Sequence, residues 1–129
     1  MKKDLLNSVY TQIKSAVSGY TKTDIYYEIL PNEELLKSYT VVYTVINTSN
    51  VDSFDKKETV KNYLLTVQIN NPTTNQIIDS LVFIKQKMYG LTSVNSSVIY
   101  VKETDENLAY DFDLKIFTGF VKFDISYIQ

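Results

Sequence analysis

The sequence predicts an α+β domain: one mainly antiparallel sheet with two helices packed on it, in the order α-β-β-β-α-β-β. Two stretches repeat apolar residues at helical spacing, and a glycine follows each of them directly. The remainder alternates with a period of two and is rich in β-branched and aromatic residues. The chain has 129 residues with no internal repeat and no low-complexity linker, so a single domain over 1–129 suffices.

Residues 4–18 place Leu5, Leu6, Val9, Ile13 and Val17 along one helical face, with Gly19 behind them. Ile25, Tyr27 and Ile29 then alternate with polar or mixed neighbours until Pro31 stops the run. Residues 39–46 are β-branched and aromatic on both faces, which predicts a centrally buried strand. Residues 58–69 put Tyr63, Leu65, Val67 and Ile69 on one face and Asn62, Thr66 and Gln68 on the other.

The second helix is expected over 73–89, carrying Ile77, Ile78, Leu81, Ile84 and Met88 and stopping at Gly90. Thr73 and Gln76 have the spacing of a capping box, and Pro72 sits just outside it. A shorter strand covers 97–102. The last strand, about 115–128, turns Phe117, Val121, Phe123, Ile125 and Tyr127 inward and Lys122, Asp124 and Ser126 outward. These phases predict a core of Leu5, Val9, Ile13, Tyr63, Leu65, Val67, Ile78, Leu81, Phe123 and Ile125.

Composition removes most chemistries. There is no Cys, His or Trp, and all 13 basic residues are lysine. That excludes disulfides, thiol nucleophiles, structural zinc and an imidazole base. It also removes the arginine fork that grips phosphate and guanine edges. Fifteen acids give a net charge of −2, so no basic surplus draws the chain to nucleic acid or an anionic membrane. No apolar run approaches the roughly 20 residues of a membrane span. Asn7 and Ser8 interrupt any signal-peptide core after Met1-Lys2-Lys3, which reads as a soluble protein made inside the cell.

Acid chemistry is what composition leaves. Asp111 and Asp113 stand two apart and point the same way in an extended segment, as a pair for a hard cation would. Without the glycine of a calcium loop, we read 110–113 instead as a solvated turn, with no catalytic, cofactor or metal residues. The scattered glycines Gly19, Gly90 and Gly119 form no phosphate loop. Eleven Tyr and six Phe beside the lysines suggest base stacking, but Tyr27, Tyr43, Tyr63, Phe123 and Tyr127 fall on core phases.

One segment stands out. Residues 47–57 join two long strands without Gly or Pro, although a tight hairpin uses two to five residues and glycine. They carry Val51 and Phe54 amid polar residues. We read an arm that docks on a partner through Val51, Phe54, Lys56 and Lys57; in the alternative reading the strands run further and Phe54 caps the core.

The order of elements and the C-terminal stretch resemble the tail terminator (tail-completion) proteins of long-tailed bacteriophages. The resemblance lies in a short N-terminal helix, the extended segment Ile25 to Pro31, and the strand Ser38-Tyr39-Thr40-Val41-Val42-Tyr43. A long loop, the strand Tyr63 to Ile69 and the helix 73–89 follow. It closes with Tyr110-Asp111-Phe112-Asp113-Leu114-Lys115 running into Ile116 through Tyr127. The family usually has Pro and Thr-Gly in that turn and Arg in the last strand; this chain has Phe112, Leu114-Lys115 and no arginine.

The resemblance implies a non-enzymatic virion protein, assembled in the host cytoplasm without cofactor or membrane. It would form a homo-oligomeric ring, a hexamer, that caps the tail tube, ends its growth and meets the head-tail connector or stopper. Genomic DNA would pass through without specific binding. Another neck component, such as a connector adaptor or stopper, and a monomeric module binding a host protein are the rival readings. A ring further implies a neutral to acidic lumen, with Asp52, Asp55, Glu103, Asp105 and Glu106 at that space or its rims.

Overall fold

A computed structural model describes residues 2–17, 24–28, 39–52, 59–71, 74–113 and 115–128. Helix α1 (Lys2–Ala16) leads into β1 (Asp24–Tyr27), β2 (Thr40–Asp52) and β3 (Thr59–Asn71). Helix α2 (Thr74–Tyr89) follows, then β4 (Ser93–Val94), β5 (Ser97–Asp111) and β6 (Ile116–Ile128). The strands form one sheet in the order β1-β2-β3-β6-β5-β4, antiparallel except where β1 runs parallel to β2. The α+β class stands; the two-residue β4 is an element that periodicity is too short to register.

The helices cover one face of the sheet. That face carries Val41, Tyr43 and Val45 from β2, Tyr63 to Ile69 on alternate residues of β3, and Val121, Phe123, Ile125 and Tyr127 from β6, all buried. The register places these residues side by side, so a period of two in three strands becomes one apolar surface. Helix α1 adds Leu5, Val9 and Ile13, and α2 adds Ile77, Leu81, Ile84 and Met88, completing a single core. The C-terminus of α2 closes where the Gly90 N–H donates to the carbonyls of Gln86 and Lys87, at 3.2 Å each. Gly19, Pro72 and Thr73, with the expected capping box, lie outside the described residues.

Gly119 lets α2 approach. It sits in the middle of β6, and a Cβ there would overlap Ile77 Cγ2 and lie 3.2 Å from Leu81 Cδ1. Tyr39, at the start of β2, and Ser80, on the buried side of α2, share a short hydroxyl–hydroxyl hydrogen bond, and Ser80 Oγ also donates to Gln76 O at 2.6 Å. Asn70 joins Thr40 and Thr118 across three strands, donating to Thr40 Oγ1 at 3.3 Å and accepting from Thr118 at 3.2 Å. Each buried hydroxyl and amide thereby has a partner, which removes the cost of desolvating it unpaired.

Three expectations need correction. Ile78 is 48% exposed and outside the core, whereas its neighbour Ile77 is fully buried. Both fit the helical spacing, and only the direction of Gly119 and the sheet selects one. The second strand is not central: β3 and β6 occupy the middle, and Ile46 of β2 is 56% exposed on the helix-free face. The strands also exceed their predicted ends, because cross-strand pairing holds polar residues extended wherever a partner strand continues. Thus β2 runs to Asp52, paired with Thr59, and β5 runs to Asp111 rather than 102.

Candidate assembly surface

The long hairpins leave the proposed site residues in new places. Val51 and Asp52 belong to β2, paired with Val60 and Thr59, so residues 47–52 of the expected loop are strand. A register shift between Asn47 and Ser49 absorbs the irregular stretch as a bulge. Phe54, Asp55, Lys56 and Lys57 lie outside the described residues.

The acids expected near a turn lie instead within β5. Glu103 and Glu106 are opposite Phe123 and Val121, on the helix-bearing face; Asp105 is opposite Lys122, on the other face, across a bulge. They therefore do not share one surface. Asp105 Oδ1 accepts the Glu106 N–H at 2.9 Å and shapes the bulge. Lys85 Nζ of α2 meets Glu106 Oε2 at 2.8 Å, and that hydrogen bond, more than the partly offsetting burial, raises the lysine above its usual value. On a half-exposed surface such a pair contributes at most about 1 kcal/mol.

Asp111 and Asp113 form a turn, as read from the sequence. Asp111 Oδ1 accepts the Asp113 N–H at 2.9 Å, and Lys115, in the left-handed region at φ 56°, returns its N–H to Asp111 O at 2.8 Å. Among the described residues no three acidic, His or Cys side chains converge on a metal-sized site.

A surface that sequence reasoning did not single out lies between α2 and the distal half of β5. The Glu103 N–H donates to Tyr89 Oη at 3.1 Å, and Glu106 holds Lys85, so helix and strand run in opposite directions past each other. Continuing that ladder at about 1.5 Å per helical residue and 3.3 Å per strand residue brings Val82 level with Leu108 and Ile78 level with Tyr110. All four are exposed. At the tip, Tyr110 packs against Phe117 at 4.7 Å and against Phe112 at 5.0 Å, and Phe112 is 82% exposed. These exposed apolar side chains lie on α2 and on the strand that runs antiparallel past it, and exposed apolar groups of this kind mark interaction surfaces. The signal in the sequence was Val82, off the main phase of α2, and the alternation 108-110-112.

The helix-free face is mainly polar. Lys102 is directly opposite Asp124, and Asp105 is opposite Lys122, so charges alternate across its middle and cancel. A shallow depression there is lined by Thr48, Asn62, Tyr100, Lys102, Asp124 and Ser126. No helix among the described residues is long and apolar enough to cross a membrane.

No protein-family model and no curated protein matches the sequence. Among solved structures, a chain from the virion of a native gene transfer agent particle superposes with a TM-score of 0.58 at 12% identity. The match covers 94% of this chain and 92% of that one, which shows a shared fold over essentially the whole domain. A chain from the sheath/tube terminator structure of an extracellular contractile injection system in its extended state matches at a TM-score of 0.41 and 10% identity. It covers 92% of this chain and 55% of that one.

Proposed function

We propose that the protein is a structural component of a phage-like virion, a tail terminator that forms a hexameric ring on the end of the tail tube. The ring ends tube polymerisation and offers its other side to the head-tail connector. The observation that carries this reading is the end-to-end fold match to a gene transfer agent virion chain. The sequence resemblance in the closing turn and last strand supports it, as do the exposed apolar residues of α2 and β5.

In this ring the segment 53–58 is an arm toward the tube or a neighbouring subunit, with Phe54 as its apolar anchor, Val51 at its base, and Lys56 and Lys57 beside it. The helix-free face is the channel lining, because its opposed charges leave it neutral, which suits DNA that must pass without being held. Asp52 and Asp55 lie toward a rim.

The experiment is to add the purified protein to polymerising tube protein and measure tube lengths by negative-stain microscopy, with native mass spectrometry of the protein alone and tube-bound. Capped, shortened tubes bearing six copies support the reading. Twelve copies with no effect on tube length indicate a connector-type component, and a monomer that never binds tubes overturns it.

A further inference from the structure

We infer that the outer edge of β5 pairs with the outer edge of β2 from a second copy of this chain, so that the sheet continues from subunit to subunit. The inference rests on the ring reading above and names its seam.

Both edges are open among the described residues. Strand β4 covers β5 only at 97–98; of the outward N–H groups beyond Ile99, that of Glu103 goes to Tyr89 Oη and that of Glu106 to Asp105 Oδ1, so the stretch of edge left for another strand among the described residues is 107–110. Ile99 turns its N–H outward, to Thr92 O at 2.9 Å. Its register mates on β6 recur every second residue from Tyr127 to Phe117, so the outward positions on β5 continue through Leu108 and Tyr110. On the opposite side of the sheet β1 covers β2 only at 40–43, and the Tyr27 hydroxyl reaches Val45 O. From Ile46 to Asp52 no described strand pairs with that edge. A long open edge is a template for another strand, and proteins that remain monomeric guard it with prolines, inward charges or covering elements. The bulge and the acids Glu103, Asp105 and Glu106 guard β5 as far as residue 106, whereas 107–110 carries neither proline nor charge.

Direction and charge select the mate. Three antiparallel pairings separate β2 from β5, so the two strands run in opposite senses. Copies arranged head to tail therefore meet edge to edge in an antiparallel ladder. Self-pairing of the distal half of β5 about Leu108 would set Asp105 against Asp111 of the other copy, and like charges in facing strands repel. The β2 edge from Ile46 to Asp52 carries a single charge, Asp52 at its far end, and Ile46 to Val51 set no charge against β5.

Position agrees with this choice. β1 and β4 guard opposite ends of the sheet, so neighbouring copies must be staggered along the strands. That stagger brings β2 of one copy onto the distal half of β5, beside Leu108, Tyr110, Ile78 and Val82, and places β1 beyond the end of the partner strand. Staggered, tilted strands are also what closure of a sheet requires. A head-to-tail contact of this kind gives a ring when its rotation per copy closes, which is the geometry the ring reading requires.

The absence of native cysteine allows a direct test. Ile46→Cys is combined in one chain with Asn107→Cys or Ala109→Cys, all on the helix-free face by register, and the assembled protein is oxidised. A disulfide ladder rising to the full ring size supports the seam. In parallel, Leu108→Pro removes an outward N–H while sparing the β5–β6 ladder. A variant with an unchanged thermal midpoint and complete loss of ring mass supports it further. A ring that persists in folded Leu108→Pro, or forms without any cross-link in the cysteine pairs, overturns the seam and leaves the ring reading intact. If Leu108→Pro does not fold, the cysteine pairs decide. Parent protein that stays monomeric both alone and with tubes overturns the ring, and the seam with it.

Discussion

Gly119 of β6 lies directly beneath Ile77 of α2, close enough that any β-carbon on it would overlap the isoleucine methyl. This contact sets the distance between the helix layer and the sheet. Because Ile77 is branched at Cβ and fully buried, its Cγ2 cannot swing aside. Gly119→Ala is expected to destabilise the fold by about 1–3 kcal/mol, read as a lower urea midpoint with an unchanged slope.

The phase of α2 gives a paired prediction. Leu81→Ala removes a side chain packed into the core beside Gly119 and should cost about 2–5 kcal/mol. Ile78→Ala, on the half-exposed flank, should cost less than about 1 kcal/mol in the isolated subunit. Equal losses at the two positions would show that the flank is covered within the monomer.

The Tyr39–Ser80 pair ties the first residues of β2 to the middle of α2. Ser80→Ala leaves the tyrosine hydroxyl without this partner at a buried site, and should cost about 1–3 kcal/mol. Tyr39→Phe removes the other member but leaves Ser80 bonded to Gln76 O, so its cost should be the smaller. Thermal denaturation of the two variants and of the double variant separates the terms.

Alkaline pH should weaken the fold. Burial raises the hydroxyls of Tyr43 and Tyr63 above the ordinary value of 10.0, and the hydrogen bond to Glu106 raises Lys85 above 10.5. For each, the folded chain keeps its proton after the unfolded chain has released it. Their stabilisation is complete below about pH 10 and is lost as the pH climbs through the raised values. Urea midpoints should be flat from about pH 8 to 9.5 and fall above about pH 10. Tyr43→Phe should reduce that fall.

The assembled ring is expected not to retain duplex DNA at low salt. Lys102 and Lys122 each face an aspartate, the net charge is −2 per chain, and no arginine is available to clamp phosphate. Fluorescence anisotropy with a labelled duplex checks this. Affinity in the micromolar range or tighter would show a basic channel and overturn the assignment of the helix-free face to the lumen.

Much of the architecture was legible in the residues themselves. The periods around Val9 and Leu81, the alternation from Tyr63 to Ile69 and from Val121 to Tyr127, and Gly90 after the second helix depend on neighbours a few positions apart. Backbone geometry converts such local spacing into faces. The turn at Asp111 and Asp113 was legible for the same reason, since an aspartate bonding a backbone N–H two residues on is a local event. Composition alone removed thiol and imidazole chemistry.

What only the tertiary structure decided depends on contacts between distant segments. Whether Ile77 or Ile78 enters the core is settled by Gly119, more than forty positions away. The polar runs Asn47 to Asp52 and Glu103 to Asp111 become strands because β3 and β6 continue beside them and pair with their backbones, a force that no local pattern encodes. For the same reason the exposed apolar residues Ile78, Val82, Leu108, Tyr110 and Phe112 were not singled out from the sequence as a surface. An assembly surface is defined by what the fold leaves uncovered, and exposure is a property of the packed chain.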